Sequence, residues 1–252
     1  MGSAIASMGK YLYAVIPARE NHEYGEIGID GARVYIISDG HVAAVVSDFN
    51  NGKIRPERRH ISAHQAVLKR LLEEGSPLPI SFGVIAEGDK EIRRILSLNR
   101  KAFSTQIQRV CDKVEMGVRV AWDVPNIFEY FVNTHVELRT ARDQLLGGNR
   151  SPSQEDKIEV GRFFDRLLKE DREEHAQKVE ASLQSCCSEI KRLPTRSEKE
   201  VMNIACLVGR QSANKDFEMA ICAAAQDFDN NFTFDFNGPW APHNFVDVEL
   251  IL

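Results

Sequence analysis

Two histidines, His60 and His64, lie four residues apart in a stretch whose apolar spacing predicts a helix. That spacing places both imidazoles on one helical face, an arrangement that can hold a metal ion. The segment reads HISAH, so it lacks the glutamate of the HExxH zinc motif, and no third ligand is apparent. We therefore predict two solvent-facing histidines, with no metal site and no cofactor.

Glycines recur at every third position at Gly25, Gly28 and Gly31, a composition seen in loops that bind phosphate. Such a loop joins a strand to the N-terminus of a helix, whereas this run leads into a stretch predicted to be a strand. The glycines therefore predict a flexible loop and no phosphate site.

The nucleophiles and acids show no catalytic pattern. The five cysteines form no CxxC pair, and they lie in apolar or helical stretches, which predicts reduced, buried thiols of a cytoplasmic protein. Helical periodicity directs Cys186 of the Cys186–Cys187 pair towards the core. The acidic pairs at 73–74 and 173–174 lie in charged surroundings that do not raise a carboxyl pKa. The sequence thus predicts no catalytic residue and a protein that is not an enzyme.

The composition is that of a globular protein, with 43% hydrophobic and 27% charged residues in a chain of 252. The net charge is −5 and basic residues are interleaved with acidic ones, so nucleic acid is not an expected partner. No apolar run is long enough to span a bilayer, so we expect no lipid membrane partner. Residues 1–9 resemble an expression leader or tag, with Met8 as the natural start.

Short strands and helices alternate through both halves of the chain. In the first half we predict strands at 11–16, 33–38, 41–48 and 78–85, and helices at 58–74 and 89–110. In the second half we predict strands at 113–123, 200–209, 232–236 and 245–252, and helices at 126–147, 153–193 and 215–227. Asp39–Gly40 predicts a two-residue hairpin turn, since both residue types tolerate positive φ.

This order predicts an α+β fold with two small domains, at 10–112 and 113–252. Each domain is expected to have an antiparallel sheet and to resemble a modified ferredoxin-like unit. The second would carry a long helical hairpin, from which the charged stretch Lys169–Glu174 projects into solvent or bends around a neighbour. Near the C-terminus, prolines frame Trp240 in a stiff turn. The sequence leaves open whether Trp240 packs beneath the turn or anchors a partner.

The chain resembles the gas vesicle protein F/L family. The matching segments are YLYAVI at 11–16, LPISFG at 78–83, EMGVRVAW at 115–122 and GPWAPHNFV at 238–246, in the family's order. Four positions depart from the commonest family residues: Ser81, Met116, Ala241 and His243. The short motifs are weak singly, but their joint order over nearly the whole chain is fairly specific.

The resemblance implies an accessory or minor structural protein of gas vesicles that acts in vesicle assembly and has no catalytic residues. Its implied partners are the main, small hydrophobic shell protein and other gas vesicle accessory proteins, and its implied location is the gas vesicle within the cytoplasm. We take Trp240, Phe245 and Trp122 as the candidate partner contacts. A ligand-sensing module and an enzyme on the ferredoxin-like scaffold remain as alternatives, because that scaffold supports many functions.

Overall fold

The computed structural model describes residues 8–19, 22–50, 53–147, 153–213, 215–248 and 250–251. The chain forms two compact units, one of residues 1–115, 207–210 and 238–252, and one of residues 116–206 and 211–237. The break at 115/116 lies near the predicted domain boundary, but residues 238–252 belong to the first unit and not to a C-terminal domain. Residues 1–7 of the predicted leader lie outside the described residues, whereas Gly9 begins the first strand.

The helices and strands have the following bounds. The first part of the chain forms β1 (Gly9–Pro17), β2 (Glu23–Gly25), β3 (Val34–Ser38), β4 (Val42–Phe49), α1 (Arg58–Glu74), β5 (Leu78–Pro79), β6 (Ile85–Ala86), α2 (Asp89–Leu98) and α3 (Arg100–Val110). The rest forms β7 (Lys113–Trp122), α4 (Ile127–Thr134), α5 (Val136–Leu146), α6 (Gln154–Leu183), β8 (Cys187–Arg192), β9 (Glu200–Gly209), α7 (Lys215–Ala225) and β10 (Phe232–Trp240).

The sheet of the first unit has strand order β2-β3-β4-β1-β5, with β6 also paired to β1. One side of β1 packs with α1 in a cluster that includes Tyr11 and Tyr13. The other side packs with α2 and α3, where Leu12 and Val15 are buried. Because both faces are covered, the strand is a continuous apolar run and not an alternating one.

The predicted hairpin and the predicted end of the first helix are both present, but the hairpin turn lies one residue later than predicted. The Asp39 N–H donates to the Val42 carbonyl at 3.1 Å, so the two turn residues are Gly40 and His41. In the β3–β4 turn, the Asp39 carboxylate accepts the backbone N–H groups of His41 and Val42, each at 2.9 Å, and Gly40 has φ +90°. Helix α1 ends at Gly75, whose N–H donates to the Leu71 carbonyl at 3.1 Å.

Two other predicted elements are each divided into two pieces. The helix expected over 89–110 breaks at buried Asn99, whose side chain donates to the Ile95 carbonyl at 2.8 Å and to the Ile251 carbonyl at 3.0 Å. The strand expected at 78–85 forms only two short pieces, β5 and β6, because Gly83 turns the chain between them with φ +95°.

The second sheet has strand order β10-β7-β9-β8, which is 4-1-3-2 in order along the chain. That order, with helices between the first two and the last two strands, is the ferredoxin-like arrangement. The predicted α+β fold with two antiparallel sheets and a long helix is therefore confirmed.

Helix α6 is shorter than predicted, although its start is correct. Ser153 and Asp156 form a capping box, with side chain to backbone distances of 3.1 and 2.9 Å. The helix ends at Leu183, and residues 187–192 form β8 instead of continuing it. Pairing of β8 with β9 outweighs the helical periodicity that the sequence shows there.

The C-terminal segment also differs from its prediction. Residues 243–245 form one 3-10 turn, and the described residues after it join neither sheet. Val246, Val248 and Leu250 nevertheless pack against the cluster formed by α2 and α3. Their alternation with polar residues thus reflects burial on one side, which periodicity alone cannot distinguish from a strand.

Candidate interaction surface

Of the three candidate contact residues, only Trp240 has an exposed side chain. Trp240 is 45% exposed, whereas Phe245 and Trp122 are each 2% exposed. Phe245 and Trp122 are therefore core residues, which corrects their prediction as partner contacts. Trp240 alone remains a candidate contact.

Trp122 lies in the aromatic core of the second unit. Its ring meets Phe131 edge to face at 5.4 Å and lies 6.1 Å from Phe232. The Arg172 guanidinium sits 5.9 Å from the indole centroid. Because neighbours surround the indole, its contribution is packing within the unit.

Phe245 and Ala241 hold the C-terminal turn in the first unit, where both are buried. Between them the His243 N–H donates to the Ala241 carbonyl at 2.7 Å, and the Phe245 N–H donates to the Pro242 carbonyl at 3.2 Å. These bonds within the turn, together with two buried side chains, fix the backbone directly after Trp240.

A buried carboxylate makes a further attachment. Glu115 is 7% exposed and accepts the backbone N–H of Asn244 at 2.8 Å and its side-chain amide at 2.6 Å. Hydrogen bonds to a charged acceptor are among the stronger ones in proteins. The turn is thereby tied to β7 by two bonds to one residue.

The backbone before Trp240 is also constrained. Gly238 has φ +130°, in the region that favours glycine, and the ring of Pro239 fixes the φ angle of that residue. Trp240 thus presents a large, partly exposed indole from a backbone that is fixed on both sides. A rigidly held aromatic that is partly exposed has the character of an interface anchor.

The histidine prediction was wrong, because His60 and His64 are buried, with 7% and 2% exposure. They share their helical face with Val67, Leu68 and Leu71, and that face packs against the sheet. An i, i+4 spacing shows that two residues share a face, but not which way the face points.

Neither histidine has metal-site surroundings. His64 Nδ1 lies 2.9 Å from the Tyr11 hydroxyl, and burial lowers the His64 pKa to about 4. His60 Nδ1 lies 3.0 Å from the Arg55 carbonyl, and its Nε2 lies 3.3 Å from the Asp30 carboxylate. Among the residues that the structure describes, no three potential ligands form a metal-binding group.

The glycine run at 25–31 is a specific turn, which corrects the prediction of a flexible loop. Gly25 belongs to β2 and Gly31 ends a 3-10 turn, with φ +84° and +76°. At Gly28 a Cβ atom would lie 2.7 Å from the Tyr13 hydroxyl. The glycines therefore serve positive φ at two positions and close approach at the third.

The cysteines are less uniformly buried than predicted, because Cys111 and Cys222 are exposed. Cys186 and Cys187 are partly covered, with their Sγ atoms 3.8 Å apart. Burial raises the pKa of Cys186 to about 12, and a hydrogen bond with Cys206 together with burial raises that of Cys187. Since the thiolate is the nucleophile, Cys186 and Cys187 are poorly reactive.

A cavity of about 240 Å³ opens in the first unit beside β1 and α1. Among its lining residues, Arg19 is ion-paired with Glu74 and also donates to the Tyr24 hydroxyl at 3.4 Å. The bond from Arg19 lowers the Glu74 pKa, so this carboxylate is ionised and unsuited to act as a general acid at neutral pH.

The charged stretch Lys169–Glu174 lies within α6, and it does not simply project into solvent. Arg172 donates to the Glu200 carbonyl at 2.9 Å, and Asp171 lies 3.3 Å from the His135 ring nitrogen. Lys169 and Glu170 are exposed.

Across the described ranges, no helix is both long and apolar enough to cross a bilayer.

Comparison with known proteins gives consistent matches over nearly the whole chain. The sequence model of the family described as "Gas vesicle synthesis protein GvpL/GvpF" matches residues 9–247. Gas vesicle protein F of Streptomyces sp. strain CB03234 is 28% identical over 247 residues, which are 95% of this chain and 100% of that protein. Gas vesicle protein L of the same strain is 24% identical, over 95% of this chain and 93% of that protein.

Two crystal structures have the same fold. The gas vesicle protein GvpF from Anabaena sp. PCC7120 superposes with a TM-score of 0.85 at 23% identity, over 96% of this chain and 100% of that one. GvpF from Microcystis aeruginosa superposes with a TM-score of 0.79 at 20% identity, over 96% of this chain and 100% of that one.

Proposed function

Because the chain belongs to the gas vesicle synthesis protein GvpL/GvpF family, we propose that it is an accessory protein of gas vesicle assembly that binds the main shell subunit. Family membership supports a role associated with gas vesicles. Binding of the small hydrophobic shell protein, and of other accessory proteins, is the more specific part of the proposal. The protein would act in the cytoplasm, at the gas vesicle.

The physical reason for such a partner lies in the shell subunit itself. A wall that encloses gas must expose an apolar face to the gas, so an unassembled subunit exposes that face to water. Large exposed apolar patches promote aggregation. A folded protein that covers the patch, or seats the subunit in a growing shell, would prevent this.

The observation that carries the proposal is the exposure of Trp240 on a rigid turn. Its indole is 45% exposed, while Ala241 and Phe245 on the same turn are buried at 5% and 2%. Aromatic side chains on fixed backbones lose little entropy on binding, which is why they dominate the affinity of many interfaces.

The first test is capture of the purified shell protein by the full chain and by Trp240→Ala. Phe236→Ala is the matched control, because Phe236 lies in the same strand, β10, and is 41% exposed. We expect Trp240→Ala to weaken capture about tenfold or more and Phe236→Ala to leave it near wild type. Equal capture by wild type and Trp240→Ala would remove Trp240 from the interface.

A second variant tests an alternative contact surface, the charged stretch of α6. Exchanging Lys169 and Glu170 reverses two exposed charges while sparing Arg172, which is bonded to Glu200 at the start of β9. If neither this exchange nor Trp240→Ala alters capture, both surfaces are excluded. Deleting the gene tests the wider role, since normal flotation of the cells would contradict a function in assembly.

A ligand-sensing module or an enzyme would need a ligand cavity, and the first unit has one of about 240 Å³. Its Arg19 and Glu74 side chains neutralise each other, so they favour a structural role over ligand recognition. A thermal-shift screen with small metabolites distinguishes the functions, because a ligand that binds the folded state raises its melting temperature. Stabilisation by a metabolite, with no capture of the shell protein, would favour the alternative.

A further inference from the structure

Helix α7 is apolar on almost every side. From Phe217 to Ala225 it reads FEMAICAAA, in which Glu218 is the only polar residue. A helix at the surface usually has one apolar stripe towards the core and a polar face opposite, whereas a helix that is apolar all round is normally buried. The sequence of α7 therefore suits a helix that is covered on two sides.

The inward side of α7 is covered within the second unit. Phe217, Ile221 and Ala224 are buried, and α7 packs against α6. The Phe217 ring also lies 6.4 Å from the ring of Phe236 in β10. These contacts account for one of the two apolar sides.

The outward face of α7 consists of Met219, Cys222 and Ala223. These residues follow the i, i+3, i+4 spacing and so lie next to one another on the helix. All three are exposed, Met219 by 54%, so the part of the chain that the structure describes leaves this face open. A stripe of exposed apolar side chains, unlike a single one, indicates an interaction surface.

Acidic residues surround the outward face. Asp216 and Glu218 lie one turn before the stripe, and Asp227 lies one turn after it. All three carboxylates are exposed, and none is ion-paired with a residue that the structure describes. Residues 211–237 contain five acidic residues and a single basic one, Lys215. The apolar face thus has an acidic rim.

These charges decide which partner the outward face fits. A second copy of the chain would bring an equal acidic rim against the first, and like charges across an interface disfavour association. Anionic lipid would be repelled for the same reason. A basic amphipathic helix matches both features, because its apolar stripe covers the outward face while its Lys and Arg side chains reach the acidic rim. The small side chains of Cys222 and Ala223 leave room for the two helix backbones to approach closely.

We propose that the outward face of α7 docks a basic amphipathic helix of a partner protein. This inference does not rest on the proposed binding of the shell protein, whose test uses Trp240. The two proposals can therefore fail independently.

The test is binding of a fluorescently labelled synthetic helix of about 18 residues, or about five turns, to the full chain. The peptide has leucine and alanine on one face and lysine on the other, and a control peptide has glutamate in place of each lysine. Fluorescence anisotropy should show that the basic peptide binds at least about tenfold more tightly than the acidic one, and that added salt weakens its binding.

Variants assign the binding to α7. Glu218→Lys reverses a charge of the acidic rim and Met219→Lys places a charge in the apolar stripe, so each should raise the dissociation constant of the basic peptide about tenfold. Both residues are exposed, so the circular dichroism spectrum should stay native. Glu137→Lys makes the same charge change at an exposed position of α5 and should leave binding near wild type. Wild-type binding by both α7 variants would contradict the proposal.

Cys222 provides a direct readout of coverage. It lies in the outward face, whereas Cys111 is an exposed cysteine of the first unit. The basic peptide should slow alkylation of Cys222 by iodoacetamide and leave that of Cys111 unchanged, as measured by mass spectrometry. Failure of the basic peptide to bind, equal binding of the two peptides, or an unprotected Cys222 would overturn the proposal. A dimer in sedimentation velocity that protects Cys222 would also overturn it, because the face would then belong to a second copy.

Discussion

The Glu115 carboxylate in β7 accepts two hydrogen bonds from Asn244, one from its backbone N–H at 2.8 Å and one from its side-chain amide at 2.6 Å. The two residues are 129 positions apart and belong to two of the four segments that resemble the family, at 115–122 and 238–246. The pair therefore joins these segments in space and fixes the turn that presents Trp240.

Replacing Glu115 by alanine should loosen this turn without removing the indole. Both bonds to Asn244 would be lost, and we expect the free energy of unfolding to fall by about 2–3 kcal/mol, as for other buried charge-assisted bonds. Capture of the shell protein should fall as well, although Trp240 is present. Urea denaturation and the capture assay measure the two effects.

Glu23→Ala is the control for Glu115→Ala. Glu23 pairs with Arg33 at the surface, where both side chains are more than half exposed. Exposed ion pairs contribute about 0–1 kcal/mol, so this variant should be nearly as stable as wild type. Equal stability of the two variants would show that the Glu115 bonds do not hold the turn.

The two tryptophans should respond in opposite ways to truncation. Trp122→Ala removes a fully buried ring from the second unit and should cost about 3–5 kcal/mol of unfolding free energy. Trp240→Ala removes a side chain that is 45% exposed and should cost about 1 kcal/mol or less. Thermal unfolding compares them, and a large loss for Trp240→Ala would mean that its indole is mainly a packing element of the turn.

Sequence patterns predicted the elements that are fixed by neighbouring residues. The β3–β4 hairpin follows from Asp39 and Gly40, and the start of α6 follows from Ser153 and Asp156, because both features depend on residues within four positions. The alternating strand β7 was predicted in the same way. Because those signals are local, they can be recognised without knowledge of the tertiary fold.

The predictions that failed depend on distant partners. Asn99 ends α2 while bonding to Ile251, 152 residues away, and β8 exists because β9 pairs with it. The orientation of His60 and His64 depends on which side of α1 the sheet covers. For the candidate site, the sequence drew attention to Trp240 through its Pro-framed turn, but the role of Glu115 could not be inferred, because no local pattern links it to Asn244.

Acid should destabilise the first unit through His64. Burial lowers the His64 pKa from 6.5 to about 4, with His243 also contributing. Between pH 6.5 and 4 the unfolded chain therefore binds a proton that the folded chain does not. The contribution of His64 to stability is complete above pH 6.5 and decreases as the pH falls, by about 3 kcal/mol at pH 4.

His64→Gln tests this dependence, since glutamine does not titrate and still offers a polar group to Tyr11. Urea denaturation at several pH values should show a shallower loss of stability below pH 6.5 than in wild type. The unfolding free energy of this variant should still decrease somewhat as the pH falls, because burial lowers the pKa of His243 too. His41→Gln alters an exposed histidine and should retain the wild-type slope. An unchanged slope in His64→Gln would contradict the assignment.

Substituting alanine for glycine should have opposite effects at Gly28 and Gly161. At Gly28 the new Cβ would lie 2.7 Å from both the Tyr13 hydroxyl and the Ala32 carbonyl. The Tyr13 hydroxyl cannot move freely, because it accepts the Ile29 N–H at 2.9 Å and lies 2.9 Å from the Ser47 hydroxyl. Gly28→Ala should therefore lower the unfolding free energy by about 1–3 kcal/mol.

Gly161 lies inside α6, and a Cβ there would have no heavy atom within 4 Å other than its own helix. Gly161→Ala should raise the unfolding free energy by up to about 1 kcal/mol, because alanine loses less backbone entropy in a helix. Denaturant titration of the two variants measures both changes in the free energy of unfolding. If Gly28→Ala were as stable as Gly161→Ala, Tyr13 would not constrain the turn, and the predicted flexible loop would describe the region better.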